Sequence, residues 1–532
     1  MILVRDITFP LSYKEEDCLI KIAKHLRVSK DNIKSYEYYR KSLDLRDKDN
    51  IFFVISFVVD ITNTKKVHLG KKDKYIDYQK VHPLIKKEKL SLDYSPVVVG
   101  FGPCGLFLSL YLARKGLKPI AIEQGGAIDK RDKDVEEFLK SGKLNHWSNV
   151  QFGEGGAGTY SDGKLTTSVN SELVRLILEE FVFHGAPKEI TYLAKPHIGT
   201  DCLRNVVKNI REEIVSLGGQ VFFDHQLVDI KVQDGQIKSA LVQNKDGVIE
   251  ISTATIFLAL GHSARETFKW LYEKGIRMEK KAFAMGVRVE HYQKTIDEIQ
   301  YGKFINHPAL QPADYKIITH LDNGRTVYSF CMCPGGEVIC ASSEEGCLVV
   351  NGMSNYKRDS KYANAALLVN VNKEDIPGDS PLAGLDFQKE YEKKAFEIAK
   401  EYRSIAQHIP DFLEGNKSLE INRDYSYKRG LIAGDISTYL PDFVSASLKE
   451  GLLKIGKIMP RYIADEGLLI GLESRSSSPL RILRDDDYLA IGYSGLYPCG
   501  EGAGYAGGIV TAALDGIKVA QSFCKKIGNV LK

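Results

Sequence analysis

The stretch Ser95–Glu123, SPVVVGFGPCGLFLSLYLARKGLKPIAIE, most constrains what this chain can fold into. The apolar run Pro96 to Val99 suits a strand buried on both faces. Gly100, Gly102 and Gly105 then spell G-x-G-x-x-G, with Pro103 in the first helical turn, where a missing N–H costs nothing. The spacing predicts a helix to Lys115, ended at Gly116, and a second strand, Lys118 to Ile122, that delivers Glu123. A βαβ unit of this kind binds a dinucleotide. Gly100 makes the tight turn, Gly102 admits a pyrophosphate, and Gly105 lets helix and strand pack closely. The pyrophosphate charge sits on the free N–H groups and positive end of the helix. Glu123, about 20 residues downstream, is placed to accept from ribose hydroxyls.

The far end of the chain carries a second glycine-rich turn, GLYPCGEGAGYAGGIVTAALDGIKVAQSF, Gly495–Phe523. Leu496 to Pro498 reads as the end of a strand, and Gly500 to Gly508 as a loop. Ile509 onward has small and apolar residues at helical spacing, so a helix begins near Gly508. A nicotinamide dehydrogenase has no need of this second loop, whereas FAD has a ribityl chain and an isoalloxazine ring to support. Between the two loops, Gln220 to Glu250 alternates polar and apolar residues around turns at Asp234-Gly235 and Asp246-Gly247, a β-meander. It leads into Thr255–His262, a buried strand ending at Gly261.

This order of parts resembles the glutathione reductase superfamily of FAD flavoproteins. The runs NVQFGEGGAGTYSDGKLTT (149–167), AMGVRVEH (284–291), CMCPGGEV (331–338), NGMSNYKRDSKYAN (351–364) and ESRSSSPLRI (473–482) are similar to a bacterial family of FAD-dependent dehydrogenases whose substrate is not defined. The resemblance implies FAD as cofactor. It sets Ala259-Leu260-Gly261 and Cys499-Gly500-Glu501-Gly502 at the flavin, with Glu501 where relatives carry Asp for the ribityl hydroxyls. It further implies Arg131 near the pyrophosphate, Leu227 offering backbone groups to the adenine, and Gly155, Gly156, Ala157 and Thr159 in a loop beside the isoalloxazine. The turn at Gly508-Ile509 completes the set.

The expected fold is α/β: a discontinuous FAD-binding Rossmann-like domain of the glutathione-reductase type (92–268 and 480–532), an inserted mixed α+β substrate domain (270–480), and a small ferredoxin-like α+β domain (1–90). Within the last, Ile2–Ile7, Ile33–Ser42 and Ile51–Ile61 read as strands and Glu15–Leu26 as a helix. Ser171–His184, Cys202–Leu217 and Phe387–Arg403 read as further helices. The lysine-rich stretch Lys65–Lys89, with Tyr75 and Tyr78, reads as a solvated linker or as a contact for nucleic acid; without a supporting motif, nucleic acid is the less expected partner. A net charge of +4 over 532 residues implies no polyanionic partner. No run is long and apolar enough for a membrane span, no basic-then-apolar leader is visible, and nine scattered cysteines read as reduced thiols, so the expected compartment is the cytoplasm.

The expected chemistry is two-electron hydride transfer through flavin N5 on a small molecule. No second G-x-G-x-x-G follows a strand, so NAD(P)H, if used, docks transiently. Two other readings stay open: an NAD(P)H-dependent flavin reductase or monooxygenase, and a flavin-binding, RNA-associated protein without catalysis. The catalytic residues are not defined by sequence. Ser161, Asp162 and Lys164 follow the glycine loop, and His262 follows Gly261. Arg288, Arg358 and Arg475 either clamp a substrate carboxylate or pair with acids across a domain boundary. Cys331 and Cys333 share a strand face, as structural thiols or as a redox couple whose bridge is strained. No pair of Cys or His lies at zinc spacing, so no metal is expected.

Overall fold

The computed structural model describes residues 1–64, 67–77, 89–464 and 466–530. Lys65, Lys66 and Tyr78–Glu88, which make up much of the lysine-rich stretch, lie outside the described residues.

A five-stranded sheet positions the site, in the order Leu496–Pro498, Ile256–Leu258, Val97–Val99, Ile120–Glu123, Gln220–Phe223. Every neighbouring pair is parallel. The three central strands are short and buried because helices cover one face and the antiparallel meander, with helix Arg265–Glu273, covers the other, which is why they read as unbroken apolar runs. The helix Pro103–Arg114 is buried from Cys104 onward and packs against the C-terminal helix Ile509–Val530. The parallel sheet therefore brings together segments from both ends of the chain. Gln226–Gln233, Gln236–Asn244 and Gly247–Ser252 form the antiparallel meander beside it. Gln220–Phe223, expected in the meander, instead closes the edge of the parallel sheet against Ile120–Glu123. Its alternating exposure is that of an edge strand, and alternation alone does not name the partner.

The inserted region is built on a seven-stranded sheet whose centre is two long buried strands, Phe283–Tyr292 and Tyr362–Val371, paired antiparallel. Helices Ala383–Ala399 and Asp442–Ile458 pack against it. The chain enters and leaves this region through Met278–Lys280 and Leu480–Ile482, which pair with each other. At the N-terminus, Ile2–Pro10, Ile33–Asp44, Phe52–Ile61 and the short Lys74–Tyr75 form an antiparallel sheet packed on helix Glu15–Leu26. In that sheet Ile2–Pro10 lies between Phe52–Ile61 and Lys74–Tyr75, the strand order of a ferredoxin-like unit, with one helix among the described residues. It docks through reciprocal backbone hydrogen bonds of Lys41 with Tyr192 (2.7 Å) and Ala194 (2.9 Å).

Candidate functional site

The two glycine turns meet. A Cβ built on Gly500 would lie 2.9 Å from Cys104 Cβ, inside the first dinucleotide helix, and one on Gly502 would lie 2.3 Å from the Gly261 carbonyl oxygen. A third loop, around Gly153–Gly158, closes over them. A Cβ on Gly156 would come within 2.9 Å of Gly102 Cα, and one on Gly158 within 3.2 Å of Ile509 Cγ1 and 3.7 Å of Pro103 Cγ. Gly102, Pro103, Gly156, Gly158, Gly261, Gly500, Gly502 and Ile509 thus surround one place. Gly100 and Gly105 are its foundation. Gly100 has φ +98° with Ala259 O 2.3 Å from where a Cβ would be, and a Cβ on Gly105 would sit 1.9 Å from Gly100 O.

Glu123 is a hub for these loops. Its two carboxylate oxygens accept from the backbone N–H groups of Phe101 (2.8 Å), Gly125 (3.0 Å) and Gly153 (2.8 Å). A carboxylate has about four lone-pair sites, so one remains for a ribose hydroxyl. Arg131 is fully buried and donates to four carbonyls, those of Asn149, Val150, Glu154 and Gly156, at 2.7–2.9 Å. Its guanidinium holds the 149–156 loop in shape, a role closer to scaffolding than to direct pyrophosphate contact. Thr159 is also turned inward, its hydroxyl donating to Glu154 O at 3.2 Å, while Gly155 N donates to Phe101 O at 2.9 Å. Ala157–Tyr160 forms a single 3₁₀ turn over the dinucleotide helix. Leu227 is buried in the meander, paired with Val242.

Arg131→Met should remove four bonds and leave buried carbonyls unpaired, costing upward of about 3 kcal/mol. Thermal unfolding followed by flavin release should show cofactor lost at lower temperature than in the parent. Unchanged retention would mean that the loop is held by other contacts.

The structure passes a direct test of fit for FAD. A Cβ on Gly261 or Gly507 would meet nothing within 4 Å, so the backbone there faces open space. Beside it stands Glu501, whose carboxyl has no hydrogen-bond partner among the described residues. Burial pushes it up to about 7, opposed by Lys281. A half-buried acceptor without a donor next to an open glycine turn is what a polyhydroxylated chain would satisfy.

Around this centre lie charges whose partners the sequence leaves open. Arg288 pairs with Glu473 (2.6 Å), Arg358 with Asp162 (2.6 Å) and Arg475 with Glu392 (2.7 Å), so all three arginines are internal ion-pair partners. The Asp162–Arg358 pair joins the glycine-loop segment to the inserted region. Arg265 and Glu392, which sequence reasoning missed, complete a second buried crossing at 2.7 Å. His262 lies on this crossing, 3.0 Å from Ser263 Oγ. Burial first, then Arg475 and Arg265, drives its pKa down to about 3, so it is neutral. Ser161 Oγ donates to Gly158 O at 2.7 Å, and Lys164 Nζ donates to Met332 O.

A Rossmann-type parallel sheet with three converging glycine turns defines a dinucleotide-binding flavoprotein. Residues 282–476 match the family model "FAD-dependent protein, C-terminal domain-like", and residues 1–60 match a domain of unknown function. An uncharacterized protein of Clostridium beijerinckii is 45% identical over 513 residues, covering 95% of each chain. The chain belongs to the same family as that protein, and its cofactor is FAD. Among solved structures it is similar to the flavin-dependent brominase Bmp2 (11% identity, 82% of this chain and 79% of that one, TM-score 0.38). It is also similar to a glycine oxidase from Bacillus cereus (9% identity, 82% of this chain and 96% of that one, TM-score 0.32). No helix of the described residues is long and apolar enough to cross a membrane.

Proposed function

We propose that this chain is an FAD-dependent dehydrogenase acting on a small molecule by two-electron transfer. The reading is carried by the unpartnered, half-buried carboxyl of Glu501 at the meeting point of the two glycine turns. When bound, FAD supplies the two-electron acceptor at its N5. The chain's own residues do the rest. The N-terminus of helix Pro103–Arg114 offers its free N–H groups and dipole to the pyrophosphate, and Gly102 keeps that approach clear. Glu123 fixes the Phe101 and Gly153 backbones that border it and keeps one acceptor site for the ribose. Gly155 and Gly156 close the loop, and Glu501 would accept from the ribityl hydroxyls. The inserted region, tied down by Asp162–Arg358 and Glu392–Arg475, covers the remaining side and encloses the substrate.

The purified protein should be yellow, and an anaerobic screen of small amino, hydroxy and saturated acids as electron donors, with NADH and NADPH as separate arms, should find one that bleaches it. Colourless protein that refuses added FAD would overturn the cofactor assignment. Bleaching by NAD(P)H alone would replace the dehydrogenase with a flavin reductase.

Glu501 gives a sharper check. Its carboxyl is held up near 7 without cofactor, and hydroxyl donors favour the charged form and lower it. FAD binding should therefore release protons between about pH 5 and 7 and tighten as pH rises through that window. Calorimetry in buffers of different ionisation enthalpy should detect the release. Glu501→Gln should abolish it and weaken FAD about tenfold. Proton release persisting in the variant would assign it to another group.

A further inference from the structure

Lys281 stands beside the second glycine turn without an ion-pair partner among the described residues. Strands Met278–Lys280 and Leu480–Ile482 pair antiparallel, and the ladder continues to Lys281, whose N–H donates to Pro479 O at 2.8 Å. The segment from Ser478 to Ile482 runs along the glycine turn. Ser478 Oγ donates to Gly502 O at 3.1 Å, Ile482 N donates to Ala503 O at 3.2 Å, and Tyr505 Oη donates to Ile482 O at 3.0 Å. Ser478 also receives the lysine, because its carbonyl accepts from Lys281 Nζ at 3.4 Å. One buried serine thus holds both the ammonium and the turn that carries Glu501.

The neighbouring cations are engaged. Lys280 Nζ donates to Ile376 O at 3.1 Å and Gly378 O at 2.9 Å, and Arg481 pairs with Glu279 at 3.3 Å. Lys281 has only its long bond to Ser478, although an ammonium carries three donors. The residue is half-buried, as is Glu501. Burial and then Arg481 push the Lys281 pKa down, and Glu501 opposes them. A half-buried ammonium with idle donors is satisfied by an electron-rich ligand. The turn has two sides. Gly500 packs on Cys104, in the helix whose N-terminus takes the pyrophosphate, whereas Gly502 packs on Gly261 and Ser478. Lys281 reaches the turn on the Gly502 side, where the chain enters the inserted region.

We propose that Lys281 is the cation that faces the flavin ring and offsets the negative charge the ring gains on reduction. The inference rests on FAD lying along this turn, as argued above. A hydride brings two electrons and one proton to N5. The ring, neutral when oxidised, therefore ends with one negative charge, spread over its N1–C2=O edge. A cation in a poorly solvating site favours that charged form, so it raises the flavin's potential and helps the chain withdraw hydride. Lys281 keeps its proton throughout.

The test uses the full-length FAD-bound protein, equilibrated anaerobically with a reference dye during slow reduction by dithionite. Lys281→Met should bind oxidised FAD within about twofold of the parent. Its potential should be more negative by about 30 mV or more, a tenfold loss in the equilibrium between reduced and oxidised flavin. Lys281→Gln, polar and of similar reach, carries the same expectation if the Met variant does not fold. Lys281→Arg should keep most of the parent's potential. A yellow, folded Met or Gln variant with the parent's potential would overturn the proposal. So would an equal loss of affinity for oxidised and reduced FAD, which marks a contact to the pyrophosphate or ribityl chain. Parent protein that holds no FAD would instead bring down the cofactor placement, and this proposal with it.

Discussion

Gly105→Ala should leave no folded flavoprotein, while Gly102→Ala should fold normally and fail to hold FAD. The two substitutions add the same methyl group three residues apart. At Gly105 that carbon would sit 1.9 Å from the Gly100 carbonyl oxygen and 3.0 Å from its carbon, both backbone atoms of the turn. Helix Pro103–Arg114 would have to leave the strand Val97–Val99 by more than an ångström. The neighbouring strands Ile256–Leu258 and Ile120–Glu123 are fully hydrogen-bonded in register and cannot follow. Overpacking of this kind costs about 3 kcal/mol or more. At Gly102 the nearest atom to a new Cβ is Gly156 Cα at 3.6 Å, ordinary contact, so stability should change by less than about 1 kcal/mol. The methyl group would instead occupy the approach to the helix N-terminus, and the pyrophosphate would lose its close backbone contacts. A loss of about a hundredfold in FAD affinity is expected, or roughly 3 kcal/mol. Far-ultraviolet circular dichroism and flavin fluorescence on both variants separate the outcomes. A Gly102→Ala protein that binds FAD like the parent would place the pyrophosphate elsewhere.

That contrast also marks how much of the molecule is legible in its sequence. The G-x-G-x-x-G turn is local: strand, glycines, Pro103 and Glu123 lie within one short stretch, and each has a conformational reason to be there. Helix and strand positions follow for the same reason, as with Phe52–Ile61, whose apolar run coincides with the observed strand. The roles of charged residues are not legible in this way, because they depend on partners far away in sequence. Arg131 is expected at the pyrophosphate, yet its donors go to four loop carbonyls, and carbonyls carry no sequence signature. Glu123 reads as an acceptor, but not as the clasp between the Phe101 and Gly153 backbones. Arg475 stands out in its serine-rich run, whereas Glu392 sits in a helix with many other charges and nothing marks it. Only the fold brings it to Arg265 and Arg475. The register slip of strand Thr326–Cys333 against Tyr362–Val371, with Cys331 at φ 42°, is invisible too, since C-x-C on a regular strand reads as two thiols on one face.

Glu392 is where the largest loss from one polar side chain is expected. The carboxylate is completely buried and accepts from Arg265 at 2.7 and 2.9 Å, from Arg475 at 2.7 and 3.0 Å, and from Ser474 at 2.6 Å. Arg265 opens the helix Arg265–Glu273, just after Gly261, and Glu392 lies on the inserted region's helix Ala383–Ala399, so this acid joins the flavin turn to the inserted region. Two buried guanidinium groups neutralise themselves chiefly through it, with Glu344 at the margin. Glu392→Gln keeps the shape and removes the charge, leaving two cations in a poorly solvating interior, which costs about 3–5 kcal/mol. Arg475→Met removes one cation and leaves the Arg265–Glu392 pair, so its cost should be smaller. Adding it to Glu392→Gln should recover part of the loss. The pH dependence has a definite sign. The two arginines hold the Glu392 carboxyl below its ordinary range, so its contribution is complete above about pH 5 and is lost as pH falls through the folded value. Parent and Glu392→Gln should therefore differ fully at pH 7 and converge in acid. Limited proteolysis should cut the variant first at the paired crossings Met278–Lys280 and Leu480–Ile482. Equal stability of parent and variant at pH 7 would mean that the two arginines find other anions or water, and that the flavin turn and the inserted region are joined by some other contact.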